Sequence, residues 1–551
     1  MPRYGRVILL LTFVAVLWSA CNKVPDNARY IPQDAVGVVG VNLRSLSKKI
    51  AWNLITGSKL FKEIQKRMPA KNADDMVGGI EDAGLDVSNT FYVYTRNDNR
   101  FTDGKVIVGL IPLTDATKWE QYIKTAFPSV TVQQQDGRRQ AALGKGMYAG
   151  WSANLLILMN APSVSLADED AEEATNDSAV SAALVTAMDE AFKVPVANSI
   201  VSNKRFSAFQ AHRYDVSAWL NYGSAFNSDG TPLSFNGLSL SSAMWKDAIV
   251  TAGFEFGKGK IGAEVNYFLP AHVEEATRDF GEVEADREML DRLPKKNMDM
   301  LLSMHISPSG VRTLLEKLGL FGITNVGLAT KGLDVDYLLE AFTGDMAILM
   351  SDFVLNAEMK SDMFMGQMVQ HKEQKASMTM TYVIRINKKE NFTRLLDMAK
   401  EGGMQPLKDG SGFVLPLTSS DSVFLMMNDR YAVITSKRNY ATGFLSGAFK
   451  GQKMKDIFTD AAYGQPFALT LDINELFRNV DPAISNSRRD SAIISESKKL
   501  LSDITLKGGK YVDNAYKFSL DINFLNTDEN SILELIDFGM RINDIGNKPS
   551  L

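Results

Sequence analysis

Two stretches of this chain decide the predicted fold: TDATKWEQYIKTAF at residues 114–127 and KKENFTRLLDMAK at residues 388–400. Each carries apolar residues at the spacing of a single helix face. The two predicted faces are Trp119, Tyr122, Ile123 and Ala126 in the first stretch, and Phe392, Leu395, Leu396 and Ala399 in the second. Each member of the second face follows its counterpart at the same sequence spacing. The chain is therefore predicted to contain the same helix twice.

Predicted strands surround both helices in a similar order, because short apolar, β-branched runs lie between turn residues. They cover residues 35–43, 91–95, 105–113, 130–135 and 155–159 in the first part, and residues 298–306, 346–351 and 378–386 in the second. Asp215-Val216 also matches Asp472-Ile473, and residues 264–267 match residues 521–524 at the same spacing. We interpret this pattern as an internal duplication. The alternative is that any two α+β domains share such patterns.

The order of these elements predicts an α+β fold with two tandem halves, each a mainly antiparallel sheet with helices packed on it. The 551 residues suffice for two cores, and 45% hydrophobic with 23% charged residues is typical of a folded globular protein. The predicted segments are a signal peptide at 1–20, a lipid-anchored tether at 21–30, a first half at 31–281, a charged linker at 282–297 and a second half at 298–551.

The N-terminal residues predict export from the cytoplasm. Arginines precede the apolar run at residues 7–17, which has the layout of a secretory signal peptide and is shorter than the roughly 20 residues of a membrane-spanning helix. Ser19 and Ala20 directly before Cys21 resemble the lipobox of bacterial lipoproteins. That resemblance implies a lipid on Cys21, through which the protein would contact a membrane. The alternative is a plain signal peptide followed by an ordinary cysteine.

Charge and cysteine content restrict the possible functions. The formal net charge is −5, which supplies no electrostatic reason to bind nucleic acid. Cys21 is the only cysteine, so a lipid-modified chain has no thiol for a disulfide and none for nucleophilic catalysis. Core packing alone must stabilise the fold.

Residues 357–377 form a predicted methionine-rich excursion between two strands. Its candidate metal ligands are Met359, Met363, Met365, Met368 and His371. Thioethers with an imidazole suit Cu(I), whereas methionines also make adaptable contact surfaces for partners. A third interpretation is a hairpin extension that packs on its own domain. The sequence favours the packed extension over a partner surface, and a partner surface over copper.

Other motifs indicate structure rather than chemistry. The acidic run at 168–177 lacks the spacing of a calcium loop, and the G-x-G-x-x-G stretch at 257–262 joins two predicted strands, so it is interpreted as a hairpin turn. The chain has four histidines but no H-E-x-x-H or G-x-S-x-G motif. A catalytic set assembled from distant positions remains open. We predict no catalytic residue and no cofactor from the sequence.

The segment Tyr30-Ile31-Pro32-Gln33-Asp34-Ala35 opens a valine-rich strand that ends Val41-Asn42-Leu43. Together with the lipobox, it resembles the Bacteroidota lipoprotein family called domain of unknown function 4836. The resemblance implies an outer membrane lipoprotein with no assigned activity. In Bacteroidota lipoproteins an acidic cluster after the cysteine marks export to the surface; Asn22-Lys23 has none. The periplasmic face is therefore favoured.

These observations favour a lipid-anchored cell-envelope binding or scaffold protein over an enzyme, with another envelope protein or a glycan as its partner. The alternative is an envelope hydrolase with a dispersed site in the cleft between the halves. A methionine-rich copper-handling protein is the third hypothesis.

Overall fold

The structure is a computed structural model. It describes residues 24–49, 83–101, 104–144, 146–161, 177–226, 233–235, 238–240, 247–364, 367–401, 403–416, 422–480 and 488–546. The predicted signal peptide, Cys21, nearly all of the acidic run and Met365 lie outside these residues. The chain forms two compact units, Met1–Glu255 and Phe256–Leu551.

The first unit combines strands with a few helices. Its strands are β1 Gly37–Asn42, β2 Thr90–Asn97, β3 Lys105–Pro112, β4 Gln133–Gln135, β5 Arg138–Gly144, β6 Met147–Trp151, β7 Leu155–Asn160, β8 Val216–Asn221, β9 Leu233–Phe235, β10 Leu238–Leu240 and β11 Ile249–Gly257. Its helices are α1 Leu43–Lys49, α2 Ala116–Ala126, α3 Asp177–Phe192, α4 Lys204–Gln210 and α5 Tyr222–Phe226, with 3-10 turns at Asp26–Tyr30, Val196–Asn198 and Ile200–Ser202.

The second unit contains the longer strands. They are β12 Lys260–Phe268, β13 Met298–His305, β14 Phe342–Phe364, β15 Gln367–Ile386, β16 Gln405–Pro406, β17 Gly412–Pro416, β18 Ser422–Met427, β19 Tyr431–Thr435, β20 Phe467–Leu471, β21 Leu501–Val512 and β22 Ala515–Phe524. Its helices are α6 Ala271–Thr277, α7 Arg287–Asp291, α8 Pro308–Lys317, α9 Phe321–Ala329, α10 Val335–Glu340, α11 Lys389–Glu401, α12 Arg438–Ser446, α13 Asp456–Ala462, α14 Ile473–Arg478, α15 Arg488–Ser497 and α16 Ser531–Gly546, with a 3-10 turn at Arg278–Gly281.

Strand pairing confirms the α+β class and the antiparallel sheets. In the first unit, antiparallel neighbours run in the order β4–β5–β6–β7–β3–β2–β1–β8–β11. In the second, they run β16–β17–β18–β19–β15–β14–β13–β20–β21, followed by β22 and β12. The first order recurs within the second, strand for strand. The helices α2 and α11 follow β3 and β15, which occupy the same place in the two orders.

The apolar faces of these two helices pack as the sequence predicts. In α2, Trp119 and Ile123 are buried against the sheet of the first unit. In α11, Phe392 and Leu396 occupy a corresponding cluster in the second unit. The carboxylate of Asp115 begins α2 by accepting hydrogen bonds from two backbone amides of the first turn, a role that N-cap residues commonly have.

The predicted linker at 282–297 is part of the second unit's core. Met289, Leu290 and Leu293 are fully buried among side chains of the sheet and of α12 and α13. Charges that suggested a linker take part in contacts within the unit: Arg292, directly after α7, binds Glu288 at 3.0 Å and donates hydrogen bonds to the backbone carbonyls of Phe444 and Leu445. The compact units divide between Glu255 and Phe256 instead, because β12 pairs with β22 in the second unit.

The proposed match between Asp215 and Asp472 is wrong. Asp215 directly precedes β8, whereas Asp472 directly follows β20, the strand in the corresponding position. In the strand order, Asn221 at the end of β8 has the place that Asp472 has after β20, and each side chain accepts a hydrogen bond from the backbone amide three residues later. Constant spacing along the chain does not hold where the intervening segments differ in length.

Candidate interaction surface

The strands β14 and β15 continue past the sheet as a two-stranded ribbon. β14 pairs with β13 only as far as Ser351, whereas its pairing with β15 continues to Phe364 and Gln367. An isolated bridge from Leu355 to Val480 marks the base of this extension. Among the described strand pairings, residues 356–364 pair only with residues 367–375. We call these two segments the methionine ribbon.

Three methionine side chains of the ribbon are exposed to solvent. The exposed fractions are 63% for Met359, 75% for Met363 and 67% for Met368. Met363 pairs directly with Met368, and Met359 lies four residues before Met363, so strand alternation assigns all three positions to one face. The prediction that the excursion packs on its own domain is therefore wrong for these side chains. Exposed apolar surface of this kind is typical of an interaction site.

The register does not bring the whole candidate copper set together. His371 pairs with Lys360 through the backbone, and alternation assigns position 371 to the face opposite Met363 and Met368. Met359 lies about 13 Å along the strand from Met363 at about 3.3 Å per residue. Among the residues that the structure describes, no three His, Cys, Asp or Glu side chains converge as metal ligands. Copper binding stays a prediction.

A buried histidine–carboxylate pair lies at the end of β13. His305 Nδ1 is 2.8 Å from Asp345 Oδ1, and both side chains are buried. Burial alone would raise the pKa of Asp345, but hydrogen bonds to His305 and Thr343 and the charge of Arg385 lower it. Among the residues that the structure describes, no hydroxyl is hydrogen-bonded to the other ring nitrogen of His305. The pair therefore links β13 to β14 at a position where the two strands are in register.

A second buried carboxylate, Asp299, has an unusual environment. Its side chain is fully buried in β13; Oδ2 accepts a hydrogen bond from the Phe353 amide at 2.8 Å, and Oδ1 has no partner among the described groups. Burial raises the pKa of Asp299 to about 6, although the hydrogen bond from Phe353 lowers it. The nearby charges of Glu475, Asp352 and Asp472 add to the increase. This acid is not among the candidate residues predicted from the sequence, although an aspartate inside the apolar run at 298–306 is a visible signal.

The first unit has a surface depression of about 770 Å³ near the start of the chain. Its lining includes Arg96, Asp189 and Glu190. These charges are already neutralised, since Arg96 binds Glu190 at 2.7 Å and Arg138 binds Asp189 at 3.1 Å. These three charges are therefore already engaged in ion pairs within the unit.

The G-x-G-x-x-G stretch lies between β11 and β12, as predicted, and no helix follows it. Gly259 has a φ of +60°, and a Cβ there would lie 2.5 Å from the backbone of Thr527. These glycines serve a tight chain reversal and not a phosphate-binding loop, which requires a following helix N-terminus.

No helix within the described ranges is both long and apolar enough to cross a membrane.

Comparisons with known proteins add little to this geometry. No family model matches the chain, and no curated protein matches it. Among solved structures, a match described as "Structure of crystal form IV of TP0453" covers 43% of this chain and 80% of the other, with 9% identity and a TM-score of 0.24. A likeness at that TM-score carries no argument. The resemblance to domain of unknown function 4836 stays a prediction.

Proposed function

We propose that this chain is a lipid-anchored binding or scaffold protein of the cell envelope, and that the methionine ribbon contacts its partner. The exposure of Met359, Met363 and Met368 on one face of the ribbon is the observation that carries the proposal. The anchor at Cys21 and a position on the periplasmic side of the outer membrane rest on the sequence pattern alone.

The chemistry of the ribbon favours a protein as the partner. Methionine is unbranched and polarisable, so its side chain adapts to irregular apolar surfaces. A two-stranded ribbon also has free edges, to which another strand can add. Glu358 and Lys375 lie 3.1 Å apart across the ribbon, and strand alternation assigns both positions to the face opposite the methionines. The methionine side of the ribbon is therefore free of this ion pair and can supply the apolar centre of an interface.

Site-specific crosslinking in intact cells tests the proposal. A photoreactive residue in place of Met363 should capture one envelope protein reproducibly and in near-stoichiometric yield. The same residue in place of Lys453, an exposed side chain outside the ribbon, serves as the matched control. Equal capture at both positions, or repeated recovery of the chain alone, would contradict a partner surface on the ribbon. Glycan binding would then be the next measurement.

We also propose that the two units arose by internal duplication, supported by the recurrence of one strand order. Solved relatives with only one unit would support this origin. Relatives whose counterpart units have different strand orders would contradict it.

A further inference from the structure

The helix α9 presents apolar side chains to solvent. Ile323 is 64% exposed and Val326 is 72% exposed. A spacing of three residues places both on the same side of a helix. No residue of α9 is buried, so the helix contributes almost nothing to the core of the second unit.

The sequence around α9 has no charge over an extended stretch. Residues 318–330 read LGLFGITNVGLAT, with Lys317 before them and Lys331 after them. A Cβ added at Gly319, Gly322 or Gly327 would meet no heavy atom within 4 Å. The surface of the helix is therefore open along its length as well as apolar.

Polar contacts hold α9 in this orientation. Asn325 Oδ1 accepts a hydrogen bond from the Val335 amide at 2.7 Å, which ties the helix to the start of α10. The guanidinium of Arg312 lies 5.2 Å from the centre of the Phe321 ring. These contacts occupy the inner side of the helix, so Ile323 and Val326 remain on the outer side.

We propose that α9 docks on the surface of a lipid bilayer, with Ile323 and Val326 entering the boundary between headgroups and acyl chains. An uncharged helix can insert there without desolvating a charge, and lysines at both ends can meet lipid phosphates. Lys317 is 3.0 Å from Glu275, an exposed pair that contributes little to stability and leaves the lysine available to a phosphate. The predicted lipid on Cys21 would hold the chain at a membrane. The methionine ribbon is not required.

Fluorescence from the full chain in lipid vesicles tests this docking. An environment-sensitive nitrobenzoxadiazole label is attached to Val326→Cys and, as a matched control, to Val512→Cys, another exposed valine of the second unit. Wild-type chain treated in parallel reports any label on Cys21. In vesicles of phosphatidylethanolamine and phosphatidylglycerol, the label at position 326 should shift to the blue. Brominated lipid should quench it at least about twofold more than the label at position 512, as expected for insertion to acyl-chain depth.

An emission at position 326 that vesicles and brominated lipid leave unchanged would overturn the proposal. A blue shift that appears without vesicles and decreases on dilution would indicate a second copy of the chain as the occupant, and would overturn it too.

Paired variants separate docking from loss of folding. With the label on Ala329→Cys, the double change Ile323→Asp and Val326→Asp should abolish the shift, whereas Ile323→Leu and Val326→Leu should retain it. Loss of the shift in both pairs would point to a structural effect and contradict docking. Changing Met363 to aspartate should leave the shift unaltered, so this result is independent of the partner surface proposed for the ribbon.

Discussion

Asp299→Asn should stabilise the second unit at neutral pH. The pKa of this buried acid rises from 3.8 to about 6 in the folded protein. A difference of roughly 2 units corresponds to about 3 kcal/mol at about 1.36 kcal/mol per unit. Because the folded pKa is above the unfolded one, the folded state binds more protons, and stability falls as pH rises from about 4 to about 6. The full penalty is present at pH 7.5.

The substitution removes this charge and keeps an oxygen that can accept the hydrogen bond from Phe353. The side-chain NH₂ of the new asparagine would take the place of Oδ1, which has no partner within the described part of the chain. Burying this NH₂ without an acceptor costs about 1–2 kcal/mol. We therefore expect a net gain of about 1–3 kcal/mol in the free energy of unfolding near pH 7.5. The gain should shrink towards zero or below near pH 4, where the wild-type acid is itself protonated.

Hydrogen exchange of peptides from β13 and β20 in increasing urea measures this effect, because it reports on the second unit directly. All tryptophans of the chain precede residue 256, so tryptophan fluorescence reports on the first unit and should not change. Asp345→Asn is the matched contrast. Its pKa is lowered in the fold, so its contribution is present at neutral pH and is lost as pH falls through the folded value. An Asp299→Asn variant less stable than wild type near pH 7.5 would refute the reasoning.

Three further changes test other parts of the molecule. With the photoreactive residue placed at Met359, Met363→Leu with Met368→Leu should retain partner capture but lose any Cu(I) binding, whereas aspartate at both positions should abolish capture. Retained metal in the leucine variant, by competition with a Cu(I) chelator, would exclude these thioethers as ligands. Phe392→Ala should cost about 3–5 kcal/mol by opening a cavity under α11, measured by exchange of peptides from that helix; a loss below about 1 kcal/mol would show that its packing is unimportant. Asp115→Ala should cost about 1 kcal/mol through the lost cap, detectable in urea by the tryptophan fluorescence of the first unit, and an unchanged midpoint would contradict the capping role.

Local patterns sufficed for many elements of this fold. The periodic apolar residues of α2 and α11 identify both helices and the faces that they bury, because a helix repeats about every 3.6 residues whatever it packs against. The β-branched run at 35–43 likewise identifies β1. The order of such elements predicts the α+β class, but it does not predict which strands pair with one another in the sheets.

Contacts between distant residues decided what the sequence could not. The charged segment at 282–297 supplies Met289 and Leu290 to the core, and the compact units divide before it, because burial depends on neighbours far along the chain. Contacts between distant residues also determine that Met363 is exposed, that Oδ1 of Asp299 has no hydrogen-bond partner among the described groups and that one face of α9 is open to solvent. An apolar or acidic residue carries no local mark of whether a partner covers it; only the tertiary arrangement determines its solvation.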